Sequence, residues 1–199
     1  MGKMSVDIRS KSSDGELLAL IAERVAPFYQ SLDEWHGPDH GSRVVSFAKR
    51  INQSEHGDPF LVEAGAWLHQ YHDNLGELET ILEQLPITDP QRSKLFEIVD
   101  RCRPHKISDS SSLEARIVFD ADALELMGPS GIFREVLCNA VARGQNSATA
   151  IALARQVQEL FEGKLQTQGG RTLAEPAIRA SDGFWREYQR WEAMLATAR

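Results

Sequence analysis

Apolar residues recur every three or four positions along most of the chain, which is the period of an amphipathic α-helix. The alternation with a period of two that marks half-buried strands is almost absent. Asp14 is placed to cap a first helix. The apolar positions of that helix are Leu17, Leu18, Ile21, Val25 and Phe28. The pattern therefore predicts an all-α protein.

Prolines and capping residues separate the next helices. A second helix can begin near Pro38, and its apolar positions are Val44, Val45, Ala48 and Ile51. Asp58-Pro59 and Asp89-Pro90 each place a capping residue before a first-turn proline, which predicts the start of a third and a fifth helix. A short fourth helix between them is expected to stop at Pro86.

The second half of the chain repeats these signals. Ser111 and Glu114 predict a capping box for a sixth helix, which Gly128-Pro129 is expected to end. Later segments with helical period cover about 131 to 142, 147 to 163 and 172 to 196. The stretch "EGKLQTQGGR" between the last two is the most loop-like, and it predicts a mobile link.

A chain of 199 residues suits one domain. We predict a single-domain helical bundle of about eight or nine helices. Residues 1–15 are polar without an apolar period and are expected to be flexible, 16–165 to form the helical domain, and 166–199 to form a C-terminal helix packed on it.

The composition and the net charge limit the classes of function that the protein can have. Hydrophobic residues make up 42% and charged residues 26%, which is ordinary for a globular protein. A net charge of -7 provides no basic field for a polyphosphate backbone, so non-specific nucleic-acid binding is not expected. The sequence has no apolar run long enough to span a bilayer and no leader pattern, so we expect no membrane association and a cytoplasmic location. Cys102 and Cys138 are expected to be buried and reduced.

Histidines cluster near the predicted helix ends. Five of the six histidines lie there: His36, His40, His69, His72 and His105. Side chains at helix ends can converge on one point from several helices, as in the metal sites of helical bundles. The sequence alone leaves open whether this clustering is functional or belongs to polar loops.

Two segments contribute these histidines in helical register. His40 lies three residues before Arg43 on the opening turns of the second helix, so its ring can lean towards the core. His69 would share a face with His72 and Asp73 if the third helix continued that far. A capping role for His40 and a surface histidine pair are the alternatives.

A third segment, "FDADALELMG", places Asp120 and Asp122 within an otherwise apolar helix. A buried carboxylate without a partner is costly, and a metal ion would be a partner. The alternative for Asp122 is a cap or a position facing water. Three segments offering His, His and Asp predict a mixed nitrogen and oxygen site for a divalent transition metal.

The motifs in these segments resemble those of the HD-domain metal-dependent phosphohydrolases. "HGPDHGSRVV" is similar to the H-D-x-x-H-x-x-R-V opening of that family, with Gly37 where Asp is common. "EAGAWLHQ" is similar to its A-A-x-L-H-D segment. "DADALELMGPSGIFR" is similar to D-A-D-R-L-D-A-L-G-A-I-G-I-A-R of one bacterial branch. The resemblance spans about residues 33 to 135.

The resemblance implies an HD-like fold and assigns roles by position. His40, His69 and Asp122 would bind the metal. His105 would face the pocket and serve a second metal or a phosphate, Arg43 would support the ligands or face a phosphate, and Asp120 would orient its neighbours. The same register makes His36 a pocket-rim or loop-fixing residue.

This chain departs from the family where the aspartate after His69 is replaced by Gln70. An amide oxygen can bind a cation but carries no charge. Asp73 could take its place one turn later, or His72 and Asp73 could be the aligned pair. We favour His69 because "AWL" precedes it as in the family.

The resemblance implies hydrolysis of a nucleotide or another small phosphate ester by water activated on a divalent ion, which is Mn, Fe, Co, Ni, Zn or Mg. Asp73, Arg43 and His105 are the candidate catalytic groups. Two alternatives stay open: a ligand-binding protein whose metal site Gln70 has weakened, and an iron-dependent oxygenase on the same scaffold.

A late helix carries the aromatic residues Phe184, Trp185, Tyr188 and Trp191. Such a stripe is typical of core packing or of a homodimer contact rather than of a ligand cage. We therefore treat a homodimer as one interpretation of this segment.

Overall fold

The computed structural model describes residues 13–197. Within these residues the chain forms nine α-helices, one 3-10 turn and one π-helical turn, and no strand, which confirms the all-α prediction. The elements in chain order are α1 (Asp14–Ser31), α2 (Pro38–Glu55), α3 (Pro59–Leu68), the 3-10 turn (His69–Asp73), α4 (Leu75–Gln84), α5 (Asp89–Arg101), α6 (Leu113–Leu124), α7 (Gly128–Leu137), the π turn (Cys138–Ala142), α8 (Ser147–Glu162) and α9 (Gln168–Ala196). Most of the predicted flexible segment lies outside the described residues.

Three helix starts differ by one residue from the prediction. Ser13, not Asp14, caps α1, and Thr88, not Asp89, caps α5; each forms a capping box with the residue three positions on. Ser112, not Ser111, caps α6 by accepting from the backbone N–H of Ala115. A cap needs extended backbone, which these residues adopt, so the acids after Ser13 and Thr88 lie in the first turn and face the positive helix end.

Helix α3 lies at the centre and packs against α1, α2, α5 and α6. Seven of its ten residues are buried, because it is surrounded on most sides by other helices. Gly65 permits a close approach to α5, since an added Cβ would lie 2.7 Å from the Cγ2 of Ile98. Each large apolar side chain buried in this core contributes about 1.5–3 kcal/mol to folding. The end of α3, where His69 follows, is therefore held rigidly.

The sequence "MGP" begins a helix rather than only ending one. α6 stops at Leu124, and a short turn closes before Gly128, which has a φ of 74°. Pro129 then lies in the first turn of α7, where its missing N–H has no cost. The turn between α6 and α7 brings α7 beside α9 and α8.

The link before α9 is shorter than predicted and is bound to the core. Only residues 163–167 lie between α8 and α9, and the "QGG" of the predicted link is in the first turn of α9. Asp120, which is fully buried, accepts hydrogen bonds from the backbone N–H groups of Gln166 and Thr167, both at 2.7 Å, and from the Thr167 hydroxyl at 2.6 Å. The prediction of a mobile link is therefore wrong for residues 166 and 167. They are held to the core because the buried Asp120 carboxylate requires their hydrogen bonds.

α9 packs on α2, α6 and α7. Trp185 from the late aromatic stripe is buried against α8, where its indole N–H donates to the Oε1 of Gln158 at 2.9 Å. The division of the chain at residues 16, 165 and 166 stays a prediction. Among the helices of residues 13–197, none combines the length and the apolar character that crossing a bilayer requires.

Candidate metal centre

Three helix ends bring His40, His69 and Asp122 to one point. His40 is in the first turn of α2, His69 follows α3 directly, and Asp122 lies in the last turn of α6. The two Nε2 atoms are 3.1 Å apart, and the Asp122 Oδ1 lies 3.5 Å from the Nε2 of His40 and 3.8 Å from that of His69. Both histidines are only 1% exposed, whereas Asp122 is 25% exposed and opens towards solvent.

Each imidazole is fixed in orientation by an acceptor behind it. The Ala66 carbonyl lies 2.7 Å from the Nδ1 of His69, and the Glu125 carboxylate lies 3.4 Å from the Nδ1 of His40. A carbonyl or carboxylate oxygen only accepts, so each Nδ1 carries a proton, and in a neutral imidazole the Nε2 then presents a lone pair. Two lone pairs therefore face each other beside a carboxylate.

This donor set fits a divalent cation. Ligand atoms bound at roughly 2.0–2.2 Å lie roughly 3 to 3.5 Å from one another, which is close to the observed separations. Burial lowers the pKa of His69 to about 4, although Asp122 opposes the shift, so the ring is neutral at pH 7. Burial alone would raise the pKa of Asp122, but the neighbouring His69 and His40 outweigh it and lower that pKa. His69 and Asp122 thus hold the protonation states that a cation requires.

Gln70 is a fourth group at the same point. Its amide nitrogen lies 2.9 Å from the Nε2 of His40 and 3.2 Å from that of His69. With nitrogen inward, the amide donates to both imidazoles; rotated by half a turn, it presents Oε1 as a ligand. The Gln70 amide therefore occupies the position where a fourth ligand would lie.

His72 and Asp73 lie outside this cluster. The chain tightens into a 3-10 turn after Leu68, and the His72 Nδ1 donates back to the carbonyl of His69 at 2.8 Å. Asp73 is 74% exposed and pairs with His72 and with Arg103. The 3-10 geometry, which a continued α-helix would not have, turns both side chains away from the Nε2 atoms. Of the two histidines in "HQYHD", His69 is the one at the centre.

The cluster opens into a pocket of about 560 Å³. Its wall includes the apolar residues Phe28, Leu32, Leu126, Val157 and Phe161. Its charged and polar lining includes His36, Gln70, His72, Asp73, Asp122, Arg134, Glu135 and Arg143. A pocket of this size with an apolar wall and a few convergent polar groups is typical of a small-molecule site.

Two arginines in this pocket come from the region after α6. The Arg134 guanidinium, which is largely buried, donates to the Trp35 carbonyl at 2.7 Å and to Glu135 at 3.2 Å. Arg143 follows the π turn and donates to the Oδ1 of the buried Asn139 at 3.0 Å. π-helical turns occur often at functional sites, and this one places a cation at the pocket.

Several predicted site residues are placed elsewhere. Arg43 does not line the pocket, because its guanidinium is paired with Glu125 at 2.8 Å. His105 is exposed and lies outside the pocket lining, because the turn after α5, closed by two hydrogen bonds to the Arg103 carbonyl, buries Ile107 instead. Asp120 points to the link before α9 and not to the cluster.

His36 lies at the pocket rim. Its Nδ1 is 2.8 Å from Asp33, whose carboxylate also accepts from the backbone N–H groups of Trp35 and His36. The charge and hydrogen bonds from His36 lower the pKa of Asp33 against the raising effect of burial. These contacts hold the loop before α2, from which His40 follows.

Four residues at the site were not predicted from the sequence: Tyr29, Glu125, Arg134 and Arg143. A signal existed for Glu125, since it lies three residues after Asp122 and interrupts the same apolar run. Tyr29 donates to the Trp67 carbonyl at 3.1 Å, close to His69. Nothing in the sequence distinguishes Tyr29 from an ordinary core residue. The position of the arginines depends on the turn between α6 and α7 and on the π turn.

The chain has an HD-domain-like fold. A solved structure described as an HD-superfamily hydrolase from Bacillus thuringiensis superposes with a TM-score of 0.73 at 20% identity and covers 91% of this chain and 100% of its own. A structure from Lactobacillus plantarum superposes with a TM-score of 0.79 at 23% identity and covers 92% of this chain and 99% of its own. At these identities the likeness concerns the fold alone. No protein-family model matches the chain.

Among curated proteins, the chain is similar to YpgQ of Bacillus subtilis, which is described as uncharacterized. The two are 28% identical over 174 residues, which covers 77% of this chain and 85% of YpgQ. The crystal structure of YpgQ superposes with a TM-score of 0.70 at 24% identity and covers 87% of this chain and 96% of its own. YpgQ has also been crystallised in complex with ADP.

Proposed function

We propose that this chain is a metal-dependent phosphohydrolase that acts on a nucleotide or another small phosphate ester. The observation that carries the proposal is the pair of buried imidazoles, His40 and His69, whose Nε2 lone pairs face each other 3.1 Å apart beside Asp122 at the pocket. Without a cation or a donor between them, two such lone pairs repel. The HD-domain-like fold supports the same conclusion.

His40, His69 and Asp122 would hold the divalent ion, with the Gln70 amide oxygen as a fourth group. The ion supplies the positive charge that makes water a nucleophile near neutral pH and that stabilises phosphoryl oxygens. Mn, Fe, Co, Ni, Zn and Mg all accept such nitrogen and oxygen ligands to differing extents.

The protein groups around the ion would bind the substrate and move the proton. Arg134 and Arg143 line the pocket and are suited to phosphate oxygens, because guanidinium groups donate in a planar fork. Asp73 lines the same pocket but is turned away from the two Nε2 atoms, and it is our candidate to accept the proton of the attacking water through one bridging water. Arg43 and His105, the other two candidate catalytic groups, do not line this pocket, and we assign neither a contact with substrate.

The apolar wall suits the base of a nucleotide. Phe28 and Phe161 line the same pocket as the two arginines, and its volume of about 560 Å³ lies within the usual range for ligand sites. The complex of YpgQ with ADP supports a nucleotide as the first ligand to test.

The first test is metal content and phosphate release. Protein purified without added metal, then loaded with each candidate ion, is expected to contain about one ion per chain and to release phosphate or pyrophosphate from some member of a nucleotide panel. His40→Gln should lose both properties, whereas His56→Gln, which removes an exposed histidine outside the pocket, should keep them. Full hydrolysis in the presence of a strong chelator would contradict the proposal.

A second candidate, a ligand-binding protein without turnover, is favoured by the Gln70 amide. With its nitrogen inward, the amide satisfies both imidazoles at 2.9 and 3.2 Å in the absence of a cation. This alternative predicts that nucleotides raise the melting temperature while no ion is retained and no phosphate is released.

A further inference from the structure

A buried carboxylate behind the metal centre has no role in the proposed reaction. Glu125, at the C-terminal end of α6, is only 7% exposed. Its Oε2 lies 3.4 Å from the Nδ1 of His40, on the side of the ring opposite the cluster. A buried carboxylate requires partners, so its position there needs an explanation.

Arg43 provides the second contact of this carboxylate. The guanidinium Nε lies 3.0 Å from Oε1 and 2.8 Å from Oε2 of Glu125, and Nη2 lies 2.8 Å from Oε2. Such a charge-assisted, multiply hydrogen-bonded contact holds the carboxylate plane in place. Since Arg43 follows His40 on α2 while Glu125 directly follows the last residue of α6, the contact also joins the two helices that carry His40 and Asp122.

The chain Arg43–Glu125–His40 determines which nitrogen of His40 faces the centre. Glu125 can only accept, so in the neutral His40 ring the proton lies on Nδ1 and Nε2 presents its lone pair towards His69 and Asp122. Without Glu125, the Nδ1–H would lose its buried acceptor and the ring its orientation. His69 obtains the same tautomer from the Ala66 carbonyl.

Neither Glu125 nor Arg43 lines the pocket that contains Asp122 and Gln70. Arg43 is half exposed in a separate groove that also contains Trp35, Phe47 and Phe133. Glu125 lines that groove as well, and the contact of this pair with the metal centre runs through His40.

We propose that Glu125, held by Arg43, is a positioning residue that sets the orientation and tautomer of His40 and thereby the affinity of the site for a divalent ion. The inference rests on the proposed function only in requiring that the site binds a metal. It does not depend on the substrate or on turnover.

The test measures the affinity of the full chain for Mn²⁺ and Zn²⁺ by calorimetry. Loss of such supporting contacts costs about 10- to 100-fold in metal affinity. Glu125→Gln keeps an acceptor but loses the charge, and it should weaken binding by about tenfold, whereas Glu125→Ala should approach about 100-fold. Arg43→Gln should give a smaller loss. Glu34→Gln is the matched control, because Glu34 is exposed in the same groove as Arg43.

A second readout separates positioning from general stability. The visible absorption of Co²⁺-loaded protein should change in Glu125→Gln and stay unchanged in Glu34→Gln, because only the first variant alters a ligand's geometry. Wild-type affinity and an unchanged Co²⁺ spectrum in both Glu125 variants would overturn the inference, even if their melting temperatures fell. Failure of the wild-type chain to bind any ion would overturn the proposed function as well.

Discussion

Two glycines in α9 should respond in opposite ways to the same substitution. A Cβ added at Gly170 would lie 2.3 Å from the Oδ2 of Asp120 and 2.8 Å from its Cβ and Cγ. At Gly183, in the same helix, an added Cβ meets nothing within 4 Å. Gly170→Ala and Gly183→Ala therefore make the same substitution at two positions. The added methyl group clashes at the first and has free space at the second.

The expected cost at Gly170 follows from how firmly Asp120 is held. Its carboxylate is fully buried and accepts three hydrogen bonds from Gln166 and Thr167, so it cannot move aside freely. Overpacking costs about 1–3 kcal/mol. Weakened hydrogen bonds to a charged group add about 1–3 kcal/mol, against a gain of about 1 kcal/mol from replacing glycine in a helix. The net loss is about 1–5 kcal/mol, or a fall in melting temperature of roughly 2–20 °C.

Thermal unfolding followed by circular dichroism or calorimetry measures this difference. Gly183→Ala should raise the free energy of unfolding by about 0.5–1 kcal/mol, because alanine has the better helix propensity. A Gly170→Ala protein as stable as the wild type would show that α9 does not approach Asp120 closely, and the account of the link before α9 would be refuted.

Three further predictions concern the site and the thiols. Gln70→Glu places a carboxylate within about 3 Å of both Nε2 atoms and should tighten Mn²⁺ binding by about tenfold or more, a scale typical of changes around a metal site; unchanged or weaker binding in calorimetry would remove Gln70 from the ligand set. Arg143→Gln should raise the KM for a hydrolysed nucleotide by about tenfold, since a charge-assisted hydrogen bond contributes about 1.5–3 kcal/mol, while metal content by elemental analysis stays at the wild-type value; an unchanged KM contradicts a phosphate contact. Burial raises the pKa of the Cys102 and Cys138 thiols, so both stay protonated and unreactive at pH 8. Ellman's reagent should detect less than one thiol in native protein and two after denaturation, and rapid reaction of the native chain would contradict their burial.

Helix positions could be predicted from local pattern because an amphipathic period and a proline start depend on neighbouring residues. The starts of α2 at Pro38 and α3 at Pro59 are confirmed for this reason. The local pattern does not distinguish between neighbouring caps, because Ser13 and Asp14 are both good capping residues and the chain geometry decides between them. The break at "MGP" was also ambiguous, since a glycine in left-handed conformation can end one helix and a proline begin another.

At the site, too, the sequence offered several candidate residues and the tertiary structure decided among them. "HQYHD" allowed either histidine to be the ligand, and the 3-10 turn after Leu68 turns His72 back to the main chain. "DADALE" offered three acids, and tertiary packing directs Asp120 to the link before α9, Asp122 to the centre and Glu125 to His40. Adjacent residues on a helix face in different directions, so which of them meets a partner depends on what surrounds that helix.

By itself, the sequence determined the all-α class, the approximate helices and the segments that carry His40, His69 and Asp122, because these depend on period, propensity and residue chemistry. Only the tertiary structure decided that the Nε2 atoms of His40 and His69 lie 3.1 Å apart, that Gln70 shares their position and that Arg43 contacts Glu125 instead of the pocket. The physical reason is that the convergence of the ligand side chains, the tautomer of His40 and the lining of the pocket arise from the packing of helices that are distant in sequence. The residue pattern within any one helix does not determine that packing.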